Sequence, residues 1–168
     1  MTWYIGIDPG SSGAVAVIDG DTGLVHSVWN FPTTIKANGK KIINTIELYW
    51  NLDELADIEN DLIIVSEQVN SRKGNDMPSV FTFGVTCGRI WGICEMFVEN
   101  VVYVSPQKWK KYFGIIKSKE QTPTEAKEMS RQKALELHPE AEEYLKRKKD
   151  HDRAEALLIA RYAWENKL

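Results

Sequence analysis

The stretch Trp3-Tyr4-Ile5-Gly6-Ile7-Asp8-Pro9-Gly10-Ser11-Ser12-Gly13-Ala14-Val15-Ala16-Val17-Ile18-Asp19-Gly20 decides the fold. Trp3, Ile5 and Ile7 alternate with Tyr4, Gly6 and Asp8, the period-two pattern of a strand with two distinct faces. Pro9 to Gly13 is a cluster of turn formers that ends it. Ala14–Ile18 is β-rich and stops at Asp19-Gly20-Asp21-Thr22-Gly23, after which Leu24–Phe31 supplies a third strand. Short turns between consecutive strands predict an antiparallel three-strand meander.

Downstream the pattern changes. Ile43, Ile46, Leu48, Tyr49, Leu52 and Leu55 recur at helical spacing. Leu62-Ile63-Ile64-Val65, ending at Ser66-Glu67, is the continuous apolar run of a central strand buried on both faces. A polar loop over Asn70–Pro78 leads into a helix expected over Ser79–Val98. Val101–Val104 reads as another strand, Pro106 opens a short basic helix, and Thr124–Leu137 and His151–Trp164 read as two more helices. A meander followed by alternating helix and strand gives an α/β fold, a mixed sheet whose later strands are parallel, flanked by helices. The expectation is a single domain spanning 1–168.

Composition fits that reading. The chain is 43% hydrophobic with six Trp, six Tyr and five Phe, enough for a packed core, and no apolar run approaches the roughly 20 residues of a membrane helix. No basic stretch precedes an apolar one at the N-terminus, so a cytoplasmic protein without a membrane partner is expected. Cys87 and Cys94 are seven apart on a helix, about 10 Å between Cα atoms, too far for a disulfide. They read as two small buried hydrophobes. Phe81, Phe83 and Trp91 are expected in the core as well. Gly84, Gly88 and Gly92 each cost a helix about 1 kcal/mol, so close packing is expected there, either on the sheet or across a two-fold axis.

The net charge of −3 hides an asymmetry. Residues 1–100 hold 6 basic and 13 acidic side chains, whereas 101–168 hold 15 and 11. Lys108, Lys110, Lys111, Lys117 and Lys119 have no acid among them, and Lys146-Arg147-Lys148-Lys149 follows. Such stripes can hold a polyanion even on an acidic chain, and Lys127 and Arg131, one helical turn apart, extend them.

Asp8 and Glu67 each end an apolar strand, where the crevice of an open α/β sheet lies. Asp152 and Glu155 are i, i+3 on a helix stripe that continues to Ile159 and Ala163, the apolar side. Carboxylates taken toward a core must be paired, protonated or metal-bound. Four converging from two strand ends and one helix would suit Mg²⁺ or Mn²⁺, and two such ions can clamp a phosphodiester for in-line attack. Asp150 and His151 are the alternatives to Asp152, although Asp150 could instead cap the helix.

Four segments carry a resemblance: Ile5-Gly6-Ile7-Asp8-Pro9-Gly10, Ser66-Glu67-Gln68-Val69, Ser105-Pro106-Gln107-Lys108-Trp109-Lys110 and Asp152-Arg153-Ala154-Glu155-Ala156-Leu157. In order, over Ile5 to Tyr162, the chain resembles the RuvC family of Holliday-junction resolvases, in particular the versions carried by bacteriophages. The resemblance implies an RNase H-like fold, a homodimer, divalent metal held by Asp8, Glu67, Asp152 and Glu155, and paired incisions in branched DNA. It also implies that Lys110 contacts phosphate. Asn70 stands where the similar bacterial enzymes carry an aromatic, and Glu155 where Asp is more usual. An RNA-processing nuclease of the same fold is an alternative. So is an actin-like or sugar-kinase phosphate-binding lobe, since Gly6–Gly13 is similar to that first phosphate loop; 168 residues cannot hold the two lobes that architecture requires.

Overall fold

The structure is a computed structural model, and it describes residues 1–56, 59–70 and 76–168. β1 (Thr2–Asp8), β2 (Ala14–Asp19) and β3 (Val25–Asn30) form the expected meander. β6 (Asp61–Glu67) and β7 (Val102–Val104) then add in parallel, giving a five-stranded mixed sheet in the order β3-β2-β1-β6-β7. Between them lie β4 (Thr33–Ile35), β5 (Lys41–Ile43), α1 (Thr45–Asp53) and α2 (Met77–Cys94). The C-terminal part holds α3 (Pro106–Tyr112), α4 (Pro123–Leu137) and α5 (His151–Asn166). Among the described residues, no helix is long and apolar enough to cross a membrane.

The alternation in β1 sorts the molecule into two layers. Trp3, Ile5 and Ile7 join Val15, Val17 and Ile64 beneath α1 and α2, with Leu48, Leu52, Ile90 and Cys94. Ala14, Ala16, Ile18 and Val65 face the other way, onto α5 and Trp109. α5 carries eight buried residues in a run that includes Ala154, Ala156, Leu157 and Ala160. It lies unusually close to the sheet because Gly6 has no side chain: a Cβ there would run into the carbonyl oxygen of Ala156 and the amide nitrogen of Ala160. Burial on both faces explains why β6 reads as an unbroken apolar run.

Several local expectations are corrected. A two-stranded ribbon, β4 with β5, was not anticipated. Its turn closes through Gly39 at φ 77°, with Gly39 N–H donating to Lys36 O at 2.8 Å, so Asn38-Gly39 was its legible hairpin signal. Ile43 therefore belongs to a strand. α1 starts only after Asn44, whose side chain accepts from Glu47 N–H, and Ile46 is 70% exposed rather than inward. α2 starts two residues early because Asp76 accepts from Ser79 N–H and Pro78 lies in the first turn, where its missing donor costs nothing. It stops at Cys94, where Phe97 N–H turns back onto Cys94 O at 3.0 Å. Most of the loop expected before it lies outside the described residues.

The α2 face differs more. Phe81 and Phe83 are exposed, not core, whereas Trp91 is half-buried and donates its indole N–H to Ser66 Oγ at 2.9 Å. Gly84, Gly88 and Gly92 are exposed, and a Cβ on any of them meets nothing within 4 Å. They do not serve close packing on the sheet. Cys87 and Cys94 are free and buried, as expected, with burial pushing their thiols up to about 11 and about 12.

Gly6→Ala should be severely destabilising, by about 3 kcal/mol or more, because backbone atoms rather than flexible side chains stand in the way. Urea denaturation measures it; a loss below about 1 kcal/mol would mean that α5 can ride up without cost.

Candidate functional site

Sheet register makes neighbours of the first two acids. β1 pairs in parallel with β6 with Ile7 opposite Ser66, so Asp8 and Glu67 follow side by side at the ends of adjacent strands. Both belong to the face that meets α5, since Gly6 and Val65, two residues before each, lie on that face. The close seat of α5 on Gly6 at Ala156 sets Glu155 and Asp152, within the preceding turn, beside the end of β1. Thus Glu67, Glu155 and Asp152 all lie within electrostatic reach of Asp8.

Electrostatics reports the same convergence. The Asp8 carboxyl is held well above the ordinary carboxylate range, first by burial, then by Glu155, Glu67 and Asp152, with Lys110 opposing them. Asp152 is also raised, chiefly by burial; His151, Lys127 and a hydrogen bond from Ser12 act against that shift, and Glu155 reinforces it. These are like charges kept near one another by the backbone, an arrangement that costs stability and concentrates at functional sites.

Each remaining acid is met by a specific donor. Glu67 Oε2 accepts from the indole N–H of Trp109 at 3.0 Å. Trp109 is fully buried on α3, whose N-terminus is fixed by Ser105 accepting from Lys108 N–H. Glu155 Oε1 accepts from Lys110 Nζ at 3.0 Å and from Ser130 Oγ at 2.9 Å. Lys110 Nζ lies 4.8 Å from the centre of the Trp109 ring, so the two residues act as one unit beneath the acids. Trp109 and Ser130 were missed as site residues. Ser130 left no signal, being one polar residue on a polar helix.

Asp150 and His151 have different surroundings. Asp150 is 4% exposed and turned to Arg147, taking its backbone N–H at 2.9 Å and its guanidinium at 2.7 Å. Burial alone would raise Asp150, but Arg147 brings it below the usual range. Its side chain does not cap α5. His151 Nε2 lies 2.9 Å from Asp152 Oδ1 and 2.8 Å from Lys127 Nζ. It links Asp152 to the basic side chains of α4.

The other basic candidates are spread unevenly. Lys108 stands 6.0 Å from the Tyr162 ring centre, and Lys111 is exposed on α3. Lys127, Lys148 and Lys149 line one cavity with His151. Arg131 is already engaged, donating to Glu128 at 2.7 Å and to Leu145 O at 2.8 Å. Asn70, exposed, follows β6.

Among the described residues, no three His, Cys, Asp or Glu side chains gather tightly enough to hold a metal ion. The donor chemistry of four carboxylates nonetheless suits a hard divalent cation. Glu67 and Glu155 point instead to Trp109, Lys110 and Ser130. No protein-family profile matches the chain, and no curated protein matches it significantly.

The raised Asp8 sets a pH dependence. The folded state binds a proton that the unfolded state releases near its ordinary value of 3.8. Stability therefore falls as pH rises from there through the folded-state value. Asp8→Asn should flatten that fall and raise the melting temperature at neutral pH without metal, by about 2–4 °C per kcal/mol relieved. A calorimetric series from pH 4 to pH 8 measures this; an unchanged or lower melting temperature would place Asp8 in a milder environment.

Proposed function

We propose that this protein is a metal-dependent, structure-selective endodeoxyribonuclease that resolves four-way and other branched DNA junctions by paired phosphodiester hydrolysis. The observation that carries this reading is the convergence on Asp8 of Glu67, Glu155 and Asp152, opposed by Lys110. The resemblance to the RuvC family of resolvases, with its RNase H-like fold, supports it through the same residues. Asp8, Glu67, Asp152 and Glu155 would hold Mg²⁺ or Mn²⁺, two ions in the family's manner. When bound, metal supplies Lewis-acid polarisation of the phosphate and a more acidic water.

The chain's own groups do the rest. Lys110, braced on Trp109, offers its ammonium to a phosphate oxygen beside Glu155, and Lys108 and Lys111 extend that cationic surface along α3. Such contacts fix register without reading sequence. Asp8, held above its ordinary range by burial and by Glu155, Glu67 and Asp152, is the acid at which added positive charge would be felt most directly. Arg147 locks Asp150, so the first turn of α5 keeps its geometry while Asp152 faces the site.

Cleavage of a synthetic four-way junction, with duplex DNA and structured RNA as controls, tests the reading. Junction cutting in Mg²⁺ that stops in excess chelator is expected. Asp152→Asn should reduce cutting by orders of magnitude while junction binding holds. Asp150→Asn should leave cutting largely intact and lower stability by about 1–3 kcal/mol, through loss of a buried charged hydrogen-bond pair. Normal cutting by Asp152→Asn beside a dead Asp150→Asn would reverse the ligand assignment, and cleavage of the RNA alone would favour an RNA-processing enzyme.

A homodimer belongs to this proposal, since paired incisions need two sites. The helix cost of Gly84, Gly88 and Gly92 is not offset inside the chain, where each glycine faces open space. A second copy lying along that face would offset it. Gly88→Leu should then give monomers by sedimentation velocity while leaving the circular dichroism spectrum unchanged. A wild-type monomer that resolves junctions at full rate would contradict the dimer.

A further inference from the structure

The cations of the acidic N-terminal part are not scattered. Residues 1–100 contain six basic side chains against thirteen acidic ones. Four of those six, Lys36, Lys40, Lys41 and Arg89, line a single groove of about 600 Å³ between the β4–β5 ribbon and α2. Among the described residues no carboxylate lines it. A random spread over so acidic a segment would bring acids in with the bases.

Aromatic surface is added to the charge. Phe81 is 73% exposed and Phe83 is 38% exposed, and both line the groove. Large apolar side chains left in water on a chain with two well-filled cores call for an occupant. Its chemistry follows from the mixture: cations for phosphates and flat apolar faces for bases, the pairing that holds single-stranded nucleic acid. Duplex DNA, with its bases stacked inside, would use the lysines and leave the rings idle.

The groove also leads to the carboxylates. Ser11 and Lys41 line both this groove and a neighbouring cavity whose walls include Asp152, Arg147 and Lys149. A Cβ on Gly10 would sit 3.8 Å from the Phe83 ring, so that ring lies against the loop following Asp8. Lys40 is steadied by a 3.4 Å contact from Nζ to Thr82 Oγ1, which ties the ribbon to α2 across the groove.

We propose that the groove between the β4–β5 ribbon and α2 receives an unpaired DNA strand leaving the carboxylate site. Its phosphates lie on Lys36, Lys40, Lys41 and Arg89, and its bases lie against Phe81 and Phe83. The proposal deepens the nuclease reading and rests on it for the identity of the polymer. A junction whose arms are splayed at the crossover offers such a strand, so the groove would select branched over continuous duplex substrates.

The test is fluorescence anisotropy in chelator, with a labelled 16-nucleotide oligothymidylate and a blunt duplex as probes. Wild type is compared with Phe81→Ala, the Lys40→Ala/Arg89→Ala pair, and Lys133→Ala as a control on α4. Phe81→Ala should weaken oligothymidylate binding about fivefold or more and leave duplex binding nearly unchanged. The double variant should reduce the log–log salt slope for the single strand by about 1.4, or 0.7 for each lost phosphate contact. Affinity and slope equal to wild type in both variants would overturn the groove assignment, as would equal losses on duplex and single strand. Dimers that become monomers in Phe81→Ala with oligothymidylate affinity unchanged would assign the groove to a second copy and overturn it too. Junction cutting is scored separately. Groove-dependent strand binding in a protein that cuts no DNA supports the groove while sinking the nuclease, and cutting with groove-independent binding does the reverse.

Discussion

The contact between Gly6 and the backbone of α5 governs the rest of the structure. α5 is the only helix that packs against β1, β2, β3 and β6 together among the described residues. It can settle there because β1 offers no side chain where the carbonyl of Ala156 and the amide of Ala160 arrive. Alanines at 154, 156, 160 and 163 keep its own face low. Helix and strand backbones then meet with nothing between them, and the fold is nearly incompressible at that point. Asp152 and Glu155 follow from this seat. Glu155 immediately precedes Ala156 and Asp152 lies one turn before it, so both fall beside the end of β1.

That geometry forces a cost which the surrounding residues partly offset. Four carboxylates repel, and burial removes the water that would screen them. Trp109 and Ser130 give Glu67 and Glu155 neutral donors, while Lys110 gives Glu155 a charge. Asp8 is displaced upward by burial first and then by Glu155, Glu67 and Asp152, with Lys110 acting against them. Asp150 shows what the same region does with an acid that has a purely structural part: Arg147 holds it, and it falls below the ordinary range instead of above it. Opposite shifts in two acids only two residues apart separate the Asp152 side of the α5 start from its anchoring side.

Elements with strong periodicity were legible. β1 alternates cleanly, β6 is one apolar block, and α5 carries its acids on the stripe that turns apolar. The mixed sheet with helices on its faces could therefore be read from residue spacing, and the acids could be singled out as candidates by their places at strand ends and on that stripe. The β4–β5 ribbon was not, because three-residue strands are too short for period two to declare itself, and Ile43 happened to fit the helical spacing of α1. α2 misled for a different reason. Aromatics are expected inside because they bury the most area, and glycines at every fourth position are expected to allow close packing. The aromatic rule assumes that a chain's apolar face is covered by the same chain, the glycine spacing left the sheet and a second copy open, and neither Phe81 nor Gly88 is covered within the chain. Local sequence cannot report who covers a surface. On α2 both rules fail together, whereas the ribbon was missed for the shortness of its strands.

Charge is organised by the same logic at larger scale. A net acidic protein would repel a polyanion at long range, yet screening confines that repulsion to about 8 Å at physiological ionic strength. What matters at contact is local composition. Lys110 and Lys111 on α3, Lys127 on α4, Lys148 and Lys149 before α5, and Lys36, Lys40, Lys41 and Arg89 in the groove occupy separate segments. Cavities that share residues connect the groove to the acids: Lys41 and Ser11 bridge it to the space beside Asp152, which Lys149 also borders. The four carboxylates thus sit as a negative island among cations. A phosphate drawn by the surround would still be repelled at the centre unless positive charge is added there. Lys110 supplies one such charge and already shares it with Glu155, and His151 and Lys127 face Asp152, while Asp8 keeps burial and three like charges against it.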